Sequence, residues 1–292
     1  MHWIPLSILG RRHWRFGGRK DATMSLTAKQ PIGVFDSGIG GLIALRRLAD
    51  LLPHEDLIYL GDMARVPYGN RSSQTITQYS QELVNFLLGH SVKQILVACN
   101  TVSAVSLPMI QKMSPIPFVD VIKPAVTVVL RAGYQRIGII GTRATIQSKA
   151  YEIEIQRQSQ GEESIAVYSQ ECPLFVPLIE EGWEKHPAVQ AIVETYLLPL
   201  KAANIQALVL GCTHYSFLRQ IIQNLLPDVH LIDSGAEAAA ALAQQSQTQS
   251  KEPQICLSPR KIDCYLTDLI GAHLERAQEF LGLPVTFYKA IL

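Results

Sequence analysis

Leu208-Val209-Leu210-Gly211-Cys212-Thr213-His214 is the stretch that decides how this chain is read. Three consecutive apolar residues are what a strand buried on both faces of a parallel sheet presents. The glycine lets the backbone turn sharply. A thiol, a hydroxyl and an imidazole then follow where strand gives way to helix, the place where open α/β sheets bind ligands. Ile95-Leu96-Val97-Ala98-Cys99-Asn100-Thr101 repeats the pattern upstream. Each cysteine falls beside a helix N-terminus, where the dipole and free amides favour a thiolate. Burial as an inert structural residue is the ordinary fate of a cysteine in a reduced protein. That reading fits either cysteine alone better than it fits the matched pair.

Outward from these stretches the chain alternates strand and helix. Ile32–Phe35 is a short buried strand running into Asp36-Ser37-Gly38-Ile39-Gly40-Gly41 and a helix with Leu42, Leu45, Leu48 and Leu52 on one face. A dinucleotide fingerprint needs a further glycine where Ile43 stands, and Asp36 would repel a phosphate. A small polar ligand fits better, its carboxylate held by Ser37 and the turn amides and its ammonium by Asp36. The plain alternative is a turn capped by Asp36. After a strand at Leu57–Leu60, Pro67-Tyr68-Gly69-Asn70 is turn chemistry, with Tyr68 either a surface aromatic or a lid. Ser72 caps a helix burying Ile76, Tyr79, Leu83 and Phe86. Pro117–Val121 is a strand, and Pro124 reads as the first residue of a helix.

A second series begins at Arg136–Gly141, followed by Thr142-Arg143-Ala144-Thr145 and a helix. Ile165–Tyr168 is a strand, and Glu171–Gly182 passes from loop into a short helix. Pro187 opens a longer helix. After Cys212 the pattern predicts a helix over Ser216–Leu226, a strand at Val229–Ile232 and an alanine-rich helix from Ser234. Gln244–Pro253 reads as a polar connection. A strand near Ile262–Leu266, a helix from Asp268 to Leu281 and a strand near Val285–Tyr288 complete the chain. The class is α/β with parallel sheets. Asp36-Ser37 aligns with Gly141-Thr142, Cys99 with Cys212, and Phe118-Val119-Asp120 with Leu231-Ile232-Asp233. The chain therefore has two similar halves, and the simplest site lies between them with one cysteine on each side.

Bulk properties exclude several classes. The 292 residues suffice for two domains, 48% are hydrophobic, and the net charge of +1 argues against general nucleic-acid binding. No apolar run reaches the roughly 18 residues that would span a membrane. Basic charge concentrates in residues 1–30, where Arg11, Arg12, Arg15, Arg19, Lys20 and Lys29 face Asp21 alone. This extension reads as disordered or loosely attached. Its apolar part precedes its arginines, the reverse of a signal peptide, and Met24 is a candidate true start. Five cysteines (Cys99, Cys172, Cys212, Cys256, Cys264) form no Cys-x-x-Cys motif, which points to a reducing cytoplasm.

Two thiols facing each other across one carbon suit stereoinversion by proton transfer. One removes a proton and the other returns one to the opposite face, and a thiol can be tuned to do either near neutral pH. Asp36 is placed to assist Cys99, and His214 with Glu180 or Glu181 to assist Cys212.

Gly33-Val34-Phe35-Asp36-Ser37-Gly38, Gly61-Asp62 with Ala64-Arg65-Val66-Pro67-Tyr68-Gly69, Ala98-Cys99-Asn100-Thr101, Cys172-Pro173-Leu174-Phe175-Val176-Pro177-Leu178 and Gly211-Cys212-Thr213-His214-Tyr215 together resemble the motifs of the glutamate racemases. These belong to the cofactor-independent aspartate/glutamate racemase superfamily. The resemblance runs from about residue 31 to the C-terminus, with Met63 departing from the small hydroxyl residue expected in its loop. It implies interconversion of L- and D-glutamate without pyridoxal phosphate or metal, supplying D-glutamate for peptidoglycan. Cys99 would take the α-proton from D-glutamate and Cys212 from L-glutamate. Asp36 would support Cys99. His214 with Glu180 would support Cys212, Glu180 being preferred to Glu181 because it directly follows the Pro-Leu-Ile run. Asp36, Ser37, Pro67, Tyr68, Gly69, Asn100, Thr101, Thr142, Thr145, Thr213 and His214 would hold the amino acid. The implied fold is two α/β domains related by pseudo-twofold symmetry with the site in their cleft, residues 31–121 plus 235–292 forming one and 122–234 the other, commonly as a homodimer. Alternatives are a racemase of aspartate or hydantoins, a zinc site from Cys99, Cys172, Cys212 and His214, whose spacing is poor for a metal, and a binding role for the basic tail.

Overall fold

The computed structural model describes residues 30–160, 164–249 and 260–292. The basic extension up to residue 29, Met24 and Cys256 lie outside the described residues.

Among the described residues ten strands run in chain order: β1 (Ile32–Asp36), β2 (Leu57–Gly61), β3 (Gln94–Val97), β4 (Phe118–Asp120), β5 (Arg136–Gly141), β6 (Ala166–Glu171), β7 (Ala207–Gly211), β8 (His230–Asp233), β9 (Ile262–Leu266) and β10 (Phe287–Lys289). They make two sheets with every pairing parallel, β10-β9-β2-β1-β3-β4 and β6-β5-β7-β8. The order β2-β1-β3-β4 in one sheet is the order β6-β5-β7-β8 in the other, so the repeat in the sequence is a repeat of topology. The C-terminal segment adds β9 and β10 to the first sheet. Cys99 and Cys212 lie just beyond the ends of β3 and β7, which hold corresponding places.

Continuous apolar strands are buried on both faces, and β1, β2, β3 and β7 are buried along their whole length. The helix Leu42–Leu51 turns Leu42, Leu45 and Leu48 inward, each contributing about 2 kcal/mol by leaving water. It packs on the helix Ser234–Gln249, where a Cβ on Gly235 would stand 3.3 Å from Ala44 Cβ. One buried cluster runs through these helices from Ile32 to Leu210, joining the two sheets. Among the described residues no helix is long and apolar enough to cross a membrane.

Several element boundaries differ from the sequence reading, each for a local reason. The helix expected at Pro124 starts at Ile122, because Asp120 Oδ1 accepts the amides of Ile122 (2.8 Å) and Lys123 (3.0 Å). Pro124 then sits in a first turn that needs no N–H from it. The segment from Gln244 is not a connection as far as Gln249: the alanine-rich helix continues through it, glutamine being a good helix former. After Cys212 the chain makes tight 3₁₀ turns over Thr213–Leu218 before the α-helix Arg219–Leu225. The last helix begins at Gly271 rather than Asp268, since Thr267 and Asp268 bond to Asp62 and Lys289 instead.

Candidate active site

At the carboxyl ends of both sheets, Ser37, Val66, Pro67, Tyr68, Gly69, Cys99, Asn100, Thr101, Thr142, Val176, Cys212, Thr213 and His214 line one pocket. Both cysteines are on its wall. The free space is about 20 Å³, room for a single water.

The glycine-rich turn after β1 builds one flank. Asp36 Oδ2 accepts the amides of Gly38 and Gly41, both at 3.1 Å, and Tyr59 donates its hydroxyl to Gly38 O at 2.8 Å. The turn lies so close to the other half that a Cβ on Gly40 would stand 2.4 Å from Thr213 Oγ1 and 2.7 Å from His214 Nδ1. Only glycine fits there. Ser37 projects from the turn, and the Cys99 thiol donates to its Oγ at 3.3 Å. Burial and the nearby Asp36 charge push the Cys99 thiol up to about 12, Ser37 and an amide opposing them in part. The expected thiolate-favouring helix end is too weak: Asn100–Val105 spans only six residues, and desolvation outweighs it. Asp36 itself is fully buried, its carboxyl raised by burial against the pull of His214 and the turn amides.

Cys212 has different neighbours. Its Sγ stands 3.9 Å from His214 Nδ1, and His214 Nε2 meets Glu180 Oε1 at 2.5 Å. The tight turns after Cys212 put Thr213, His214 and Tyr215 all inside, and Tyr215 anchors them by donating its hydroxyl to Cys172 O at 2.9 Å. Burial alone would lower the His214 pKa. Hydrogen bonds and charge from Cys212 and Glu180 overcome this and raise it well above the ordinary imidazole range. Burial pushes Glu180 upward, but the His214 bond and the charges of His214, His273 and Arg276 carry it below its ordinary range.

Three polar chains stiffen the remaining wall. Tyr68 donates its hydroxyl to buried Asp62, which also takes Arg65 Nε at 2.6 Å and the Thr267 hydroxyl at 2.8 Å. Thr101 Oγ1 meets Thr142 Oγ1 at 2.9 Å, and Thr142 in turn meets the Thr145 hydroxyl at 2.9 Å. Tyr151 donates to Asn100 Oδ1 at 2.6 Å, Asn100 Nδ2 donates to Ser234 Oγ at 3.0 Å, and Ser234 donates to Leu210 O at 2.8 Å.

Of the residues singled out from sequence, Cys99, Cys212, Ser37, Pro67, Tyr68, Gly69, Asn100, Thr101, Thr142, Thr213 and His214 are on the pocket wall. Asp36, Thr145 and Glu180 stand behind it. Asp36 is held by the turn it caps and touches Thr213 Oγ1 at 3.5 Å. Thr145 serves Thr142, donating its amide to Thr142 Oγ1 at 3.3 Å. Tyr68 is neither a surface aromatic nor a free lid, being 1% exposed. Glu180, not Glu181, meets His214. Sequence reasoning missed Tyr151, Ser234 and Gly40. Ser234 was visible only as a helix start, and Tyr151 reads as an ordinary amphipathic helix residue. Cys172 is off the pocket with its thiol toward Gln170 O at 3.7 Å. Among the described residues no three ligand-type side chains converge on a metal position.

With this geometry in view, the family described as Asp/Glu/hydantoin racemase matches residues 43–242. A glutamate racemase of Syntrophus aciditrophicus is 41% identical over 254 residues, 86% of this chain and 93% of that one. The crystal structure of glutamate racemase from Francisella tularensis in complex with D-glutamate superposes with a TM-score of 0.84 at 37% identity, covering 91% of this chain and 98% of that one. A glutamate racemase isoform from Bacillus anthracis superposes with a TM-score of 0.84 at 32% identity, covering 91% of this chain and 99% of that one.

Proposed function

Since this chain belongs to the Asp/Glu/hydantoin racemase family, we propose that it interconverts L- and D-glutamate by proton transfer through two cysteines, Cys99 and Cys212. One observation carries this reading: both thiols, delivered by corresponding strands of two like sheets, line a single pocket. Cys212 takes the α-proton of L-glutamate while Cys99 delivers one to the opposite face, and the roles reverse for D-glutamate.

The surroundings match these duties. A Cys99 thiol pushed up to about 12 is protonated at rest and ready to donate. A protonated His214 gives Cys212 a positive neighbour when its sulfur carries charge, and Glu180 keeps that imidazole charged and aimed. Ser37, Asn100, Thr101, Thr142 and Thr213 supply donors for the substrate carboxylate, whose developing enediolate they stabilise in a site that excludes water. Pro67, Tyr68 and Gly69 close one side. Asp36 holds the turn and adds negative charge for the ammonium, and Thr145 orients Thr142. A space of about 20 Å³ holds a water rather than glutamate, so the pocket widens on admission, in this reading by the halves parting. They divide as residues 31–121 plus 235–292 and residues 122–234. D-glutamate made this way supplies peptidoglycan synthesis in the cytoplasm, the working assembly is a homodimer, and neither pyridoxal phosphate nor metal takes part.

Turnover of L-glutamate in deuterated water, followed by NMR and circular dichroism, tests the reading. Deuterium is expected at Cα first in the D product, and L-aspartate is expected to turn over far more slowly. Inversion that retains the original α-hydrogen would overturn it.

A further inference from the structure

The helix Gly271–Leu281 lies between β9 and β10, strands of the six-stranded sheet. Glu180 and His214 follow β6 and β7 of the other sheet. Yet this helix reaches the segments that carry both of them. Arg276 Nη2 donates to Ile179 O at 2.7 Å, the carbonyl next to Glu180, and the same guanidinium pairs with Glu184 just beyond it. It lies over the Phe280 ring at 4.9 Å, and Phe280 stacks on Phe217 with ring centroids 3.7 Å apart. Phe217 belongs to the tight turns that carry His214.

The other end of the helix is fastened as well. Arg46, from the helix that starts at the Asp36 turn, donates to Leu281 O at 3.2 Å and Gly282 O at 2.9 Å. Gly282 ends the helix with φ +61°, a conformation that favours glycine. The helix is therefore a strut, footed on the first half and gripping both arms of the Glu180–His214 pair on the second. Arg276 is largely buried, with 19% of its side chain exposed, and Glu184 with 16%, so the grip works away from bulk water.

We infer that Arg276 is a positioning residue for the Cys212 side: it holds the backbone at Glu180 and, through Phe280 and Phe217, the turns at His214, so that the imidazole stays aligned on Cys212. This rests on the reading of Glu180 and His214 as the support of Cys212. The positive charges of Arg276 and His273 also help hold Glu180 ionised.

Enantiomers have equal free energy, so any variant lowers kcat/KM equally in both directions. Only isotope effects reveal which side is hurt. In the full chain, Arg276→Met is expected to lower kcat about 10-fold with KM within about twofold. The primary isotope effect should grow with α-deuterated L-glutamate, where Cys212 breaks the labelled bond, and shrink with α-deuterated D-glutamate. Arg276→Lys keeps the charge but cannot reach Ile179 O and Glu184 together, so it should give a smaller loss with the same isotope pattern; it also serves if Arg276→Met does not fold. In the Glu180→Gln background Arg276→Met should add less than about twofold, because both act through one unit. Equal losses in both backgrounds, or isotope effects unchanged in both directions, would overturn the inference while wild-type exchange of the α-proton leaves the racemase reading standing. Absence of that exchange in the wild type would instead sink the reading beneath it.

Discussion

Cys99 and Cys212 follow corresponding strands, yet their neighbours differ in kind. Cys99 has a hydroxyl at 3.3 Å and a buried carboxyl nearby. Cys212 has an imidazole at 3.9 Å that is itself bonded to a carboxylate. The first environment keeps a thiol neutral, and the second offers a cation when a thiolate forms. A repeated fold therefore supplies matched positions, while the residues after each strand make the two sides chemically unequal. That inequality suits the proposed reaction, in which each turnover begins with one sulfur as acid and the other as base.

The largest effect should come from deleting either side. Cys99→Ser and Cys212→Ser should each cost at least about 10³-fold in racemisation, with far-ultraviolet circular dichroism unchanged. The comparison sharpens in deuterated water: Cys99→Ser should still exchange the α-proton of L-glutamate without inverting it, and Cys212→Ser that of D-glutamate. Exchange on the wrong enantiomer would reverse the assignment of faces.

His214→Asn should cost about 10²-fold; if protonated His214 supports Cys212 as proposed, kcat in the parent should fall at alkaline pH as that proton is lost, and the variant should lack this fall. The same pair affects stability. Because the His214 pKa is raised in the folded state, its contribution is full below the ordinary imidazole range and is lost as pH rises through the raised value. Glu180 is lowered, so its contribution is full above the ordinary carboxylate range and is lost as pH falls through the lowered value. Glu180→Gln should therefore cost about 2 kcal/mol at weakly acidic to neutral pH and much less at either extreme, read from urea unfolding across pH.

Gly40→Ala tests how tightly the halves meet. Its Cβ would fall 2.4 Å from Thr213 Oγ1, and relief by displacing Thr213 and His214 should cost about 1–3 kcal/mol and about 10-fold in kcat. An active, fully stable Gly40→Ala would mean the turn and Thr213 have room for a methyl group between them. The smallest effect belongs to Ser37→Ala, a few-fold in kcat, accompanied by slower alkylation of Cys99 because its thiolate loses a donor. Cys212 should keep its alkylation rate in that variant.

Much of this was legible from pattern alone. Apolar runs closed by glycine and followed by Cys99 or Cys212 announce buried parallel strands, and their recurrence announces two like halves, because burial on both faces leaves no other composition. Boundaries were less legible where a side chain outvoted propensity. Asp120 starts a helix before Pro124, and glutamines prolong one past Gln244.

The chain by itself determined the class of fold, the repeat and the residue types at each strand end, since periodicity and turn chemistry are local. Only the tertiary structure decided which of those residues share a wall. It put Asp36 and Thr145 behind the pocket, Tyr151 and Ser234 onto Asn100, and Arg276 beside Glu180 from 96 positions away along the chain. Contacts of that reach depend on how two sheets pack, and packing balances burial against many partners at once. No short stretch of sequence carries that information.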